Sequence, residues 1–402
     1  MIYQFGRLGH FANPKADSNI AYPDALKDIL DLQAAELAYQ EISKWPGYEV
    51  TPLHHLNGLA GELGVDKIWY KDESGRFGLG SFKALGGAYA VFMQLKGIIE
   101  SETGDLVTIT GLLDKSYQQI VSGITFSCAT DGNHGRSVAW GAQLFGCGCV
   151  IYIHGQVSEG RRLAIEALGA EVIRVAGNYD DSVRQAAIDA GNADRIIISD
   201  TSYEGYQSIP KFVALGYTVM LKEIIEQLQG NIPTHVFLQG GVGSLASAVC
   251  AYFWQYWEDR RPRLVVVEPE AANCLQQSAQ KGSPVIVKGD LETLMAGLAC
   301  GEVSLLAWQI LSIGCDDFVT LDEDSVAPCM RLLAAGFLGD PKIVAGESAV
   351  AGLAALIAAG QDTDLAKTLD LDSASRVLVI GTEGATDQAL YDQLVHPDQA
   401  LA

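Results

Sequence analysis

The sequence is poor in basic residues: 27 lysines and arginines stand against 49 aspartates and glutamates over 402 residues, a formal net charge of −22. The acidic residues are scattered rather than gathered into a tail. A chain of this charge offers phosphates no basic face, which argues against nucleic acid and an anionic membrane surface as partners. Long hydrophobic runs are missing too. The longest near-apolar stretch, AVAGLAALIAAG at 349–360, is too short to span a bilayer. The opening MIYQFGRLGHFANP lacks the apolar core of a signal peptide. Eight cysteines show no repeated CxxC pairing, so metal ligation is not expected. A bridge between Cys274 and Cys300 stays open beside buried free thiols, the expectation for a cytoplasmic chain. No fixed-period repeat and no low-complexity linker occurs.

What is present is apolar bulk: 49% of residues are hydrophobic and 19% charged. That is more core than a single domain of ordinary size holds, so two domains or one two-lobed unit is expected. From about residue 66 short β-rich runs alternate with helical patterns. ITFSCAT, CVIYIHG, EVIRVAG, RIIISD, THVFLQ, RLVVVEPE and RVLVIG read as strands, and a loop and a helical segment separate one from the next. Ser158 opens the helix SEGRRLAIEAL as a cap. The alternation is the signature of parallel sheets covered by helices on both faces, an α/β fold. Residues 101–123 interrupt the rhythm and read as an insertion or a mobile edge.

In such sheets ligands bind beyond the carboxyl ends of the strands, in the loops that feed helices. Four loops carry suitable residues. QGGVGSLA places Gly240, Gly241, Gly243 and Ser244 after THVFL, an anion-binding turn suited to a single phosphate, although it lacks the lysine of a triphosphate loop. CATDGNHGRS places Thr130, Asp131, Asn133 and His134 after ITFSC, where Asp-Gly-Asn is also ordinary turn material. GTEGATD offers Thr382, with Glu383 and Asp387 at a helix start where acids often cap. SDTSYEGY places Asp200 and Glu204 after RIIIS. Glu347 in AGESAVAG either lines the same region or marks a helix start. Finally, GLGSFKALGGAYAVF holds one lysine, Lys83, beside the apolar stripe Phe82, Leu85, Tyr89 and Phe92, with Gly86 and Gly87 one turn on. The glycines leave space around the amine for a planar ring. A Schiff-base lysine, a monophosphate cradle and strand-end hydroxyls together point to pyridoxal phosphate.

The order SFK, GNH turn, glycine-rich loop and late strand-end threonine resembles the β-family (fold type II) of pyridoxal phosphate enzymes, over residues 50–390 or so. Within it, ATDGNHGRSVAWGAQ, DTSYEGYQSIP, MAGLACGE and GTEGATD are most similar to the diaminopropionate ammonia-lyase family. The resemblance implies a two-lobed fold, each lobe an open, mostly parallel twisted sheet with helices on both faces. It places residues 1–88 and 206–402 in a large phosphate-binding domain and 89–205 in a small domain carrying the DGNHG turn. It implies that Lys83 holds the cofactor and later acts as a base, with Phe82 beside the ring. Asn133 would bond the phenolic oxygen, Gly240, Gly241, Val242, Gly243 and Ser244 the phosphate, and Thr382 the pyridine nitrogen. The turn Thr130–His134, which includes Asp131, would receive the substrate carboxylate through its side-chain donors and backbone N–H groups. The loop reads GGVGS rather than an unbroken glycine run, so Val242 must point its side chain away from the phosphate.

Asp131 stands where the common dehydratase pattern has a small residue. Diaminopropionate carries a β-ammonium that serine and threonine lack, and Asp131 and Asp200 supply carboxylates for it or for α-proton removal. The expected reaction is α,β-elimination of 2,3-diaminopropionate to pyruvate and two ammonia, in a cytoplasmic homodimer. A serine or threonine dehydratase, with both aspartates as capping residues, is the alternative. A non-catalytic sensor or assembly protein on the same fold is a third reading.

Overall fold

The structure, a computed structural model, describes residues 4–130, 132–177 and 179–397. Its strands are β1 (Gly9–Ala12), β2 (Leu53–His55), β3 (Lys67–Asp72), β4 (Thr125–Ala129), β5 (Gly148–His154) and β6 (Glu171–Val175). They continue as β7 (Ile196–Ile197), β8 (His235–Gln239), β9 (Arg263–Pro269), β10 (Asp317–Leu321) and β11 (Arg376–Gly381). The chain divides into two compact units, one of Met1–Leu32, Val50–Gly75 and Met220–Ala402, the other of Gln33–Glu49 and Arg76–Val219.

The first unit holds a seven-stranded sheet in the order β1-β10-β9-β8-β11-β3-β2. Its five inner strands are parallel, while β1 and β2 pair antiparallel at the two edges. Strands β8, β9 and β11 are near-continuous apolar runs because helices cover both of their faces. The alanine-rich run at 349–360 is the core helix Ala351–Gln361, apolar all round because it is buried all round. A Cβ on Gly352 would stand 2.7 Å from Phe237 O, so glycine there lets the helix lie directly on β8. All eight cysteines are free thiols.

The second unit holds a four-stranded, wholly parallel sheet in the order β6-β5-β4-β7. The Lys83 helix (Lys83–Thr103) packs against the helix that follows β4 (Asn133–Phe145). Here the structure corrects one expectation. The space beside Lys83 at Gly86 and Gly87 is filled by protein. A Cβ on Gly86 would lie 2.4 Å from Tyr217 Cε1 and 2.7 Å from Val213 O, and one on Gly87 only 2.6 Å from Ser137 Oγ. Ser137 Oγ in turn accepts the Ala88 N–H at 3.0 Å. These glycines serve close helix packing, not a ring. A Cβ on Gly216 would meet Leu85 O at 2.5 Å and Gly86 Cα at 2.8 Å, both backbone atoms that cannot rotate away. Gly216→Ala is therefore expected to cost about 1–3 kcal/mol, the usual range for overpacking. A chemical denaturation midpoint equal to that of the natural sequence would contradict it.

Residues 101–123, read as an insertion or a mobile edge, pack into the same unit. They form two short helices, Ile109–Leu113 and Gln118–Val121, and bury Val107, Ile109, Leu112 and Val121. Lys96 Nζ ties the segment down by donating to Val107 O at 2.8 Å, and Gln118 Nε2 does so by donating to Gly146 O at 2.9 Å.

Candidate active site

In the second unit, Lys83 opens its helix and its N–H donates to Ser81 Oγ at 3.2 Å. Its ammonium forms an ion pair and hydrogen bond with Asp200. The same nitrogen stands 5.5 Å from the ring centroid of Phe82 and 5.9 Å from that of Tyr217, two rings 4.7 Å apart. The amine is thus held between aromatic faces and one carboxylate, a setting that suits a cation and excludes most other groups.

Asp200 reaches this position because β7 ends at Ile197 and a fixed turn follows. Ser199 N–H donates to Tyr206 Oη at 2.9 Å, and Tyr206 O–H donates to Ile197 O at 2.8 Å. Burial would raise the Asp200 carboxyl, but the Lys83 ammonium, His134 and the hydrogen bond from Lys83 outweigh it and hold it well below the usual carboxylate range. It is an anion at neutral pH.

The turn after β4 supplies Thr130, Asn133 and His134, while Asp131 lies outside the described residues. Thr130 Oγ1 accepts the N–H groups of Gly132 and Gly135 at 3.0 and 3.1 Å, capping the helix start and leaving its own proton to donate. Asn133 is the first residue of that helix. His134 is buried, and burial pushes its imidazole below its ordinary value against the pull of Asp200. Its Nε2 lies 3.0 Å from Ile198 O. A carbonyl only accepts, so Nε2 carries the proton and Nδ1 is left as a buried acceptor with no hydrogen-bond partner among the described residues. The ring's N–H is spent on Ile198, so donors for an anion at this turn come from Thr130, Asn133 and the backbone.

In the first unit, β8 runs into the glycine loop and the helix Ser244–Trp257. Gly243 has φ +96°, and a Cβ on Gly240 would lie 2.6 Å from Val266 Cγ1. The loop is therefore seated on the sheet in a path that side chains would block. Val242 O accepts the Ser304 N–H at 2.8 Å, and Gly241 O faces Cys274 Sγ at 3.6 Å. In trans peptides the N–H points opposite to the carbonyl, so the Gly243 N–H turns away from Ser304 and the Val242 N–H away from Cys274. The loop leads into the N-terminus of a fourteen-residue helix, a setting in which backbone N–H groups bind anions. Nearby, Thr382 follows β11, and Gln239 Nε2 stands 3.4 Å from its Oγ1. Glu347 is buried. Glu383 Oε1 accepts the Ser348 N–H at 3.1 Å, and Asp387 caps the last helix by accepting the Leu390 N–H at 3.3 Å. No cluster of three or more metal-ligating side chains stands among the described residues, and none of their helices is long and apolar enough to cross a membrane.

Each unit holds groups of the kinds that pyridoxal phosphate takes: an amine and an amide in the second, a glycine loop at a helix start and a strand-end hydroxyl in the first. The structure brings Lys83, Phe82 and Asp200 together in one unit, and Thr382 and the loop through Gln239 in the other. Two residues of this constellation escape sequence reasoning. Tyr217 lies in an apolar helix pattern, where an aromatic reads as core. Gln239 is the last residue of a buried strand, and a polar side chain inside such a run is the signal that was there to find.

A sequence model of the family described as "Pyridoxal-phosphate dependent enzyme" matches residues 44–383. The chain is 41% identical over 366 residues to the diaminopropionate ammonia-lyase of Escherichia coli (strain K12), covering 90% of this chain and 91% of that one. The Salmonella typhimurium (strain LT2) enzyme of that name is 40% identical over 361 residues, covering 88% and 89%. Among solved structures, the Escherichia coli diaminopropionate ammonia-lyase in complex with D-serine aligns with a TM-score of 0.89 at 37% identity, over 100% of this chain and 99% of that one.

Proposed function

Because the chain belongs to the pyridoxal-phosphate-dependent enzymes, and within them to the diaminopropionate ammonia-lyases, we propose that it converts 2,3-diaminopropionate to pyruvate and two ammonia by α,β-elimination. The observation that carries the substrate reading is the Lys83–Asp200 ion pair, a carboxylate that already holds a primary ammonium flanked by two aromatic rings.

Pyridoxal phosphate, when bound, supplies an aldehyde that condenses with amines and a ring that takes up the electron pair left at the substrate's α-carbon. Lys83 would hold the aldehyde end, Asn133 the phenolic oxygen, the Gly240–Ser244 loop the phosphate and Thr382 the pyridine nitrogen, and Phe82 would line the cofactor's site. In the loop, Val242 and Gly243 contribute backbone N–H groups. Thr130 and the backbone of the DGNHG turn orient the substrate carboxylate.

Lys83, released when substrate takes its place, is a neutral amine that removes the α-proton of the L-substrate. For the D-substrate the α-proton lies on the opposite face, and Asp131 is the proposed base. Asp200, having lost the Lys83 ammonium, takes the substrate's β-ammonium instead. That nitrogen stays protonated until the carbon–nitrogen bond breaks, so it departs as neutral ammonia and keeps the bonding electron pair. The second ammonia comes from hydrolysis of the remaining enamine nitrogen, which leaves pyruvate.

Serine and threonine bring no cation to Asp200 and would leave a half-buried carboxylate unpaired. The expected kcat/KM for diaminopropionate exceeds that for L-serine or L-threonine by at least about 100-fold, from the strength of charge-assisted pairing in an enclosed site. Turnover confined to the hydroxy amino acids would replace this reading with a dehydratase. The proposed setting is a cytoplasmic homodimer, for which sedimentation at twice the chain mass is the test of assembly.

A further inference from the structure

Gln239 ends β8 one residue before the glycine loop, and its side chain is buried. Its Nε2 lies 2.6 Å from Ala349 O, 2.9 Å from Ile380 O and 3.4 Å from Thr382 Oγ1. Its Oε1 is buried with no hydrogen-bond partner among the described residues. The two carbonyl oxygens only accept, so the nitrogen and not the oxygen has to face them, and the amide's orientation is fixed by its surroundings. An amide nitrogen offers no lone pair. The amide's two protons go first to the two carbonyls, so Thr382 Oγ1 at 3.4 Å shares one of them at most, but it meets no acceptor on that side and its own proton has to point elsewhere.

We propose that Gln239 is a positioning residue that locks the Thr382 hydroxyl as a hydrogen-bond donor to the cofactor's pyridine nitrogen. This rests on the assignment of Thr382 to that nitrogen. An unconstrained threonine hydroxyl can rotate to donate to a pyridine or to accept from a pyridinium. With Gln239 behind it, accepting from a pyridinium would send the hydroxyl proton toward a group that cannot take it. Turning the proton away from Gln239 favours donation toward the ring, which keeps the ring nitrogen a neutral acceptor. A neutral ring withdraws less charge from the α-carbon than a pyridinium, which favours expulsion of the β-substituent over reprotonation at that carbon.

The test is the nitrogen-15 resonance of holoenzyme loaded with pyridoxal phosphate labelled at the ring nitrogen, read without substrate. Thr382→Val is expected to move the resonance toward that of a pyridine with no hydrogen bond. Gln239→Met is expected to move it part of the way in the same direction, and the double variant to match Thr382→Val. Gln239→Met at the natural position, with Thr382→Val shifted, overturns the proposal and leaves the Thr382 assignment standing. No shift in Thr382→Val overturns the assignment, and the proposal with it. Should Gln239→Met fail to fold or load cofactor, Thr382→Ser decides, because it keeps the hydroxyl and Gln239 but drops the γ-methyl. A resonance unchanged from the natural one supports the lock. A shift to the Thr382→Val position shows that methyl packing, not Gln239, holds the hydroxyl.

Discussion

Lys83→Ala is expected to lower turnover of diaminopropionate by about 1,000-fold or more, since it removes both the covalent anchor and the proton-transferring amine. The visible absorbance of the lysine-bound cofactor should vanish with it. Lys83→Arg should not rescue, because a guanidinium does not surrender its proton near neutral pH. The variant also carries a stability signature. In the natural protein, without cofactor, Lys83 and His134 hold the Asp200 carboxyl below its unfolded value despite burial. A depressed carboxyl contributes stability that is present above the unfolded value, about 3.9, and is lost as pH falls through the folded one. Without the lysine the largest lowering influence is gone and the carboxyl is expected to rise. The stability that it contributes at neutral pH then shrinks. Melting temperatures of the two apoproteins across pH 4 to 8 should diverge most at the neutral end. Parallel curves would show that Asp200 does not depend on Lys83.

Asp200→Asn is expected to reduce kcat/KM for diaminopropionate by about 100- to 10,000-fold, the range lost when a buried charge-assisted partner is removed. The informative part is the comparison. β-Elimination from serine, which has no β-ammonium, should suffer far less, so the preference between the two substrates should collapse. Equal losses on both would mean that Asp200 acts on Lys83 alone and that the β-ammonium is bound elsewhere.

The parallel strands were legible because their runs are short, apolar and spaced by helical patterns, and β4, β5, β6, β8, β9 and β11 lie where those runs are. Strand β3 was less visible because KIWYKD carries two lysines and an aspartate. Lys71 is nevertheless fully buried, its charge met by Glu223 Oε2 at 2.7 Å, a partner 152 residues away. The short edge strands β1 and β2 have too few residues for a pattern to form. The site shows the same division. Lys83 stood out as a lone cation in an apolar stretch, yet Gly86 and Gly87 misled, because a missing Cβ reveals room without revealing what fills it. Tyr217 and Ser137 fill it. The pairing of Lys83 with Asp200 spans 117 residues and follows from where β7 ends and the Tyr206 turn begins, which no local pattern encodes.

The most direct test is the product ratio from purified, cofactor-loaded protein given D- and L-2,3-diaminopropionate separately, with ammonia and pyruvate both measured. The elimination described here releases two ammonia for each pyruvate, one from the β-carbon and one by hydrolysis. One ammonia per 2-oxo acid, or no pyruvate from either enantiomer, would contradict it.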